Sequence, residues 1–269
     1  MLGIPESVMP HVRRFGFSGV IAVAVVVVMI FGINPITVLT GQVAEPLPHT
    51  TLTALEAIAA GEDGPEALVD AVSREANGFW ERAFRSAAVH YPPVTLKMVP
   101  TKAELGCGMA GSDVGTFYCP DDSTVYVDMA TYADLVASFP AEGHKAEGYL
   151  IGLAYGHHVQ AALDQFEALE SLDAAERAVR EQQLGAQAAC YSGAWTKWAG
   201  LEILLDDPAI VRAIDSVSTG RDVTTAPSRT PIPRALTPPS AAFRAHGYGL
   251  GYAIPAAGSC RMENIGHPI

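Results

Sequence analysis

Two adjacent histidines, His157 and His158, stand near the end of the stretch Gly148-Tyr-Leu-Ile-Gly-Leu-Ala-Tyr-Gly-His-His-Val-Gln-Ala-Ala-Leu163. Two histidines four residues apart on a helix share one face and can bind zinc through neutral ring nitrogens. A glutamate beside the first then takes a proton from the metal-bound water, an arrangement that cleaves peptide bonds. Here the position four before His157 is Leu153 and the next is Ala154. Half of that pattern is present and half is missing. His158 points about 100° away from His157 around a helix and is poorly placed to share its metal.

Catalytic zinc normally takes three protein ligands and a water, whose pKa it lowers to about 7. One imidazole supplies one ligand, and a missing general base alone typically costs ~10²–10⁴-fold in rate. Glu147, His144, Asp164, Glu181 and His246 are the candidates to replace the lost groups. Glu147 precedes Ala154 by seven residues, ~10 Å along a helix, too far to serve without rebuilding the site. Leucine and alanine suit a packed interior, whereas a site retuned for another metal would show Asp, Cys or His in exchange. His157 is therefore expected as a core histidine hydrogen-bonded within the domain, and as a ligand only if a metal binds at all. Tyr155 is a candidate to fill part of the cleft.

Several elements must position this helix. From 66 to 89 the apolar residues Leu68, Val69, Val72, Ala76, Phe79, Trp80 and Phe84 recur at three and four residues, which predicts an amphipathic helix stopped by Tyr91-Pro92-Pro93. Residues 94–99 and 123–129 alternate as strands, with Val125 and Val127 on one face and Tyr126 and Asp128 on the other. Helices are predicted over 131–139, 146–166 and 172–205, the last broken near Gly200. Residues 216–240 hold Pro227, Pro231, Pro233, Pro238 and Pro239 and read as a loose loop. The Gly-rich end at 243–251 lacks the strand-to-helix context of a phosphate loop. Helix, strands, then helices give an α+β order. Trp80 and Trp195 are expected in the core, and Asp122 and Asp128 in a turn and a strand.

The chain of 269 residues is 49% hydrophobic and can bury one ordinary core. Its formal net charge of −12 argues against nucleic acid as a partner. Residues 15–33 are uncharged and apolar, the length of a bilayer span. Arg13 and Arg14 precede the run and no Lys or Arg follows until Arg74, so the N-terminus is expected in the cytoplasm and the rest outside. A cleaved signal peptide is the alternative reading. Residues 1–14 are then cytoplasmic, 15–33 the signal anchor, 34–65 a Pro-containing stalk and 66–269 the extracytoplasmic domain.

The four cysteines, Cys107, Cys119, Cys190 and Cys260, all follow the apolar run and allow three pairings. The short, glycine-containing interval favours Cys107 with Cys119, which leaves Cys190 with Cys260. Free buried thiols are the alternative, and no C-x-x-C pair supports a zinc site.

Trp80, Tyr91 with Pro93, Cys107-Gly108, Gly115-Thr-Phe-Tyr-Cys-Pro-Asp-Asp122, Val125-Tyr-Val-Asp128, Gly156-His-His-Val-Gln160 and Gln187-Ala-Ala-Cys-Tyr-Ser-Gly-Ala-Trp195 together resemble the neutral zinc metallopeptidases of bacterial envelopes. A thinner match adds Phe243, Gly247-Tyr248 and Cys260. The resemblance implies a membrane-anchored, zincin-like domain with a small β-sheet and a helical core. It also places the family's first zinc histidine at Leu153, its general-base glutamate at Ala154, its third ligand at Gly185 and an orienting aspartate at Ala189. Only His157 keeps a ligand type. The resemblance further implies that an edge strand beside the helix pairs with extended peptide, and the strand of Val125, Tyr126, Val127 and Asp128, or its neighbour, is the candidate.

These readings lead to a catalytically inactive relative on the cell envelope, with no cofactor, that binds a peptide or envelope protein. The alternatives are a working zinc peptidase with an unusual ligand set built on His157, and a structural envelope module.

Overall fold

The structure, a computed structural model, describes residues 64–100, 107, 115–201, 203, 205, 207–218, 241–255 and 257–266. All lie in one compact unit spanning Pro46–Ile269. The apolar run at 15–33, the stalk up to residue 63 and most of the Pro-rich loop lie outside the described residues. Among those described, no helix is long and apolar enough to cross a membrane.

Helix α1 (Pro65–Ser86) starts with proline at its first position, where the missing amide loses no hydrogen bond. Leu68, Val69, Val72, Ala76, Phe79, Trp80 and Phe84 form its buried stripe, as the periodicity predicts. The helix ends as Val89 N donates to Phe84 O at 3.0 Å and Ala88 turns the chain at φ 56°.

Strands β1 (Thr95–Val99), β2 (Phe117–Cys119) and β3 (Thr124–Asp128) form one sheet in the order β1-β3-β2. β3 runs parallel to β1 and antiparallel to β2, with Val125 opposite both Leu96 and Tyr118. Val125 and Val127 face the main helical core, while Tyr126 packs on the other face with Val99, Phe117 and Cys119. This corrects the expectation of an edge strand at Val125, Tyr126, Val127 and Asp128. Both flanks of β3 already carry hydrogen-bonded partners, so it cannot accept another strand, and alternation within one strand says nothing about its neighbours. Among the described residues the outer edge of β1 has no strand beside it.

Asp128 ends β3 by capping helix α2 (Met129–Ser138). Its Oδ1 accepts from Ala130 N at 3.0 Å and Thr131 N at 3.3 Å, and its Oδ2 accepts from Thr131 Oγ1 at 2.7 Å. Helix α3 (Gly143–Ala162) follows, then a 3₁₀ turn, Glu167–Ser171. Helix α4 (Ala174–Trp198) starts at a capping box between Asp173 and Glu176 and ends before Gly200, the expected break. After helix α5 (Pro208–Ser218) come α6 (Ala241–Ala253), a 3₁₀ turn at Ala257–Cys260 and the short α7 (Met262–Ile265). The architecture is mixed α+β. Two helices go beyond the sequence reading: α5 covers the start of the expected loop, and the Gly-rich end is helical.

Every residue of α3 from Ala146 to Gln160 is buried. A helix covered on all sides is a central one, and α3 lies between the sheet and α1 on one flank and α4 on the other. The approach to α4 is tight enough that a Cβ on Gly156 would lie 2.6 Å from Ala188 O. Two disulfides staple the unit. Cys107–Cys119 ties the loop after β1 to β2, and Cys190–Cys260 ties the C-terminal turn to α4. Both pairings are those expected.

Candidate functional site

The central part of α3 presents its residues to two apolar clusters. Leu153 packs in one cluster with Leu150, Ala188, Ala189 and Ile203, while Ala154 belongs to the other with Trp80, Tyr155 and Trp195. Gly185 is buried on α4, one turn before Ala189. The four positions that the resemblance assigns to metal chemistry therefore lie inside the packed interior. Tyr155, 3% exposed, is part of the same core.

His157, one turn on from Leu153 in α3, is 3% exposed. Its Nδ1 is 2.9 Å from Gln160 Oε1, and its Nε2 is buried without a hydrogen-bond partner. Gln160 Nε2 donates to Leu184 O at 2.8 Å and to Gln187 Oε1 at 2.9 Å, and Gln187 Nε2 donates to Cys260 O at 2.8 Å. A chain of amides thus runs from the C-terminal turn through α4 to the histidine. Burial pushes the His157 pKa down to about 4, against a smaller upward pull from Gln160, so the ring is neutral at pH 7. An unsatisfied buried acceptor costs on the order of 1–3 kcal/mol.

His158 faces the sheet. Its Nδ1 lies 3.1 Å from Tyr118 Oη and its Nε2 3.2 Å from Pro92 O, so both ring nitrogens are engaged and the imidazole straps β2 to the segment before β1. Tyr91 and Tyr118 pack edge-on against it, with centroids at 5.1 and 5.2 Å.

Most of the groups that could have replaced the missing ligands have partners or positions elsewhere. His144 Nδ1 pairs with Tyr132 Oη at 2.6 Å. Glu147 accepts a hydrogen bond from Thr116. Asp164 is exposed at the C-terminal end of α3 with φ 54°, and exposed His246 stacks on Phe243. Glu181 is buried in α4, one turn before Gly185. Among the described residues no group of three His, Cys, Asp or Glu is gathered closely enough to hold a metal ion. Of the positions assigned to the metal site, His157 alone carries a donor where catalytic zinc needs three, so these residues do not fit the ion.

Elsewhere, Asp122 accepts from Tyr126 Oη at 2.6 Å, and burial together with that carboxylate pushes the phenol up to about 12. Trp80 and Trp195 are fully buried. Gln160 and Gln187 are the residues that sequence reasoning passed over. The signal for both was a glutamine flanked on each side by apolar residues, Val159 and Ala161 or Ala186 and Ala188.

A family model described as "Putative neutral zinc metallopeptidase" matches residues 8–262. YpfJ, an uncharacterized protein of Escherichia coli strain K12, is 29% identical over 185 residues, 67% of this chain and 63% of its own length. Rv2575, an uncharacterized protein of Mycobacterium tuberculosis strain H37Rv, is 41% identical over 97 residues, 35% of this chain and 32% of its own. The chain thus spans less than two thirds of the length of either relative. No solved structure matches it.

Proposed function

The chain belongs to the neutral zinc metallopeptidase family, and on that premise we propose that it is a member that binds peptide or protein without cutting it. The observation that carries this reading is the state of the four ligand-bearing positions. Leu153, Ala154 and Ala189 are packed in apolar clusters and Gly185 is buried beside them, with no polar group exchanged into the space. Without a second and third donor no zinc-bound water forms, and without a carboxylate at position 154 none is deprotonated. The chain is anchored by residues 15–33, and its zincin-like domain lies outside the cytoplasm, where the two disulfides persist.

The partner is an extended segment of an envelope peptide or protein. Strand addition needs an open edge, and among the described residues the outer edge of β1 is unpaired, with Thr95 and Lys97 exposed. A groove of about 540 Å³, lined by Asn77, Glu81 and Arg85 of α1 and by His90, Tyr91 and Pro93, leads toward the start of β1.

A second reading, a working peptidase with an unusual ligand set, is favoured by one observation, the bare Nε2 of His157. Zinc content separates the two. The full chain, purified with its disulfides intact and dialysed against zinc, is expected to retain less than a tenth of an equivalent. Tight zinc lost in His157→Ala, together with proteolysis abolished by a chelator, would overturn the non-catalytic reading.

A further inference from the structure

We infer that Gln160 and Gln187 are positioning residues that hold His157 as its Nδ1–H tautomer with a bare Nε2, so that the orienting half of a metal centre survives in a chain that has lost the other donors. The inference rests on the reading of a donor-poor site given above. Its proton assignments follow link by link from two backbone carbonyls, which can only accept.

Cys260 O lies 2.8 Å from the Gln187 amide, which fixes that nitrogen toward the C-terminal turn and leaves Gln187 Oε1 facing Gln160. Leu184 O lies 2.8 Å from the Gln160 amide, whose nitrogen spends its second proton on Gln187 Oε1 at 2.9 Å. With both protons committed, only the oxygen of Gln160 is left for His157, and Nδ1, 2.9 Å away, has to donate. A neutral imidazole carries one N–H, so Nε2 keeps its lone pair. The relay joins α3 to α4 and to the turn held by Cys190–Cys260.

A metal-ligating histidine uses the same device, giving its second N–H to an acceptor that sets tautomer and ring orientation. The acceptor here is an amide, and that choice explains how the relay outlasts the donors. A carboxylate at position 160 or 187 would be a buried charge with no cation to balance it, whereas two glutamines and a neutral imidazole remain satisfied through hydrogen bonds alone. Only Nε2 is left without a partner.

The test is the tautomeric state of His157, read from the ring-nitrogen signals of the full chain in detergent, labelled with ¹⁵N at histidine, at pH 7. The expected spectrum shows Nδ1 protonated and Nε2 bare. Gln160→Leu removes the acceptor and shifts the ring toward Nε2–H. A wild-type ring protonated at Nε2, or a folded Gln160→Leu with an unchanged tautomer, overturns the assignment. Should Gln160→Leu fail to fold, Gln187→Leu decides, because it loosens the Gln160 amide and raises the Nε2–H population. An unchanged ring there leaves Gln187 with packing alone and overturns its part in the assignment. Addition of zinc to the wild-type sample separates this inference from its premise. An equivalent taken up by His157 refutes the donor-poor site, while the tautomer of the zinc-free chain still judges the relay.

Discussion

His157 and His158 are neighbours in the chain and opposite tautomers in the fold. Pro92 O can only accept, so His158 Nε2 donates to it across 3.2 Å and His158 Nδ1 accepts from Tyr118 Oη. His157 donates from Nδ1 to Gln160 instead. One ring is tied to α4 through Gln160 and the other directly to the sheet, and both are neutral because burial pushes each pKa down to about 4. Consecutive residues on α3 thereby fix both of its flanks.

The first prediction concerns acid. Folded-state values near 4, against 6.5 in the unfolded chain, mean that between those limits the unfolded state binds more protons. Stability is fully present above pH 6.5 and falls as pH drops toward 4, by up to ~3 kcal/mol per histidine. Urea midpoints measured from pH 7.5 to 4.5 should fall steadily, and the slope should be shallower in His157→Gln. A midpoint independent of pH over that range would contradict the burial of both rings.

The second prediction concerns the contact of α4 with α6. A Cβ on Gly251 would lie 1.9 Å from Cys190 O, and the clashing atom is backbone that cannot swing aside. Gly251→Ala should therefore cost about 1–3 kcal/mol or more by forcing the helices apart. Gly249 has nothing within 4 Å of its would-be Cβ, so Gly249→Ala should gain up to about 1 kcal/mol from helix propensity. Chemical denaturation of the pair measures both, and equal effects would refute the close packing.

The same helix shows what a sequence withholds. Glycines at 247, 249 and 251 argue against a helix on propensity, yet two of the three are needed because α4 lies against them. Local preference loses to a tertiary contact that no window of residues contains. Helix α5 was more accessible: Asp207 caps it, accepting from Ala209 N at 2.8 Å, Pro208 opens it, and Ile210, Ala213 and Ile214 recur on one face. The stripe of α1 and the alternation of β3 were legible because each reports burial by its own period. The central place of β3 was not, since strand order is set by β1 and β2. The losses at Leu153 and Ala154 could be read directly, whereas the amide relay joins residues 27 apart in sequence, Gln160 and Gln187, and leaves no pattern.

The third prediction concerns the staples. Cys190–Cys260 closes a loop of 70 residues and Cys107–Cys119 one of 12. Loop-closure entropy assigns them ~4 and ~3 kcal/mol respectively. The paired variant Cys190→Ala with Cys260→Ala should lower the thermal midpoint more than Cys107→Ala with Cys119→Ala does. It also detaches the carbonyl that anchors Gln187, so its loss should extend to protection of the buried α4 amides in hydrogen exchange. An equal fall in midpoint for both pairs, with α4 protection kept, would reject this role for the longer loop.

The last prediction restores one donor. Leu153 precedes His157 by four residues on α3, so Leu153→His places two imidazoles on one helical face, with Cβ atoms about 5–6 Å apart. Leu153 is 5% exposed within an apolar cluster, so the new ring loses packing and costs about 2–4 kcal/mol in the presence of a chelator. Zinc binds the folded pair and not the unfolded one, and at a hundredfold excess over its dissociation constant it should return ~2.7 kcal/mol. The thermal midpoint of Leu153→His should therefore rise with added zinc, while that of the wild type, with a single imidazole, should not move. Ala154→Glu added to that variant supplies a carboxylate but no ligand, and should leave the zinc-induced rise in midpoint nearly unchanged. A wild-type midpoint that climbs with zinc as steeply as the variant's would mean that His157 already has companions, and the non-catalytic reading would fall with it.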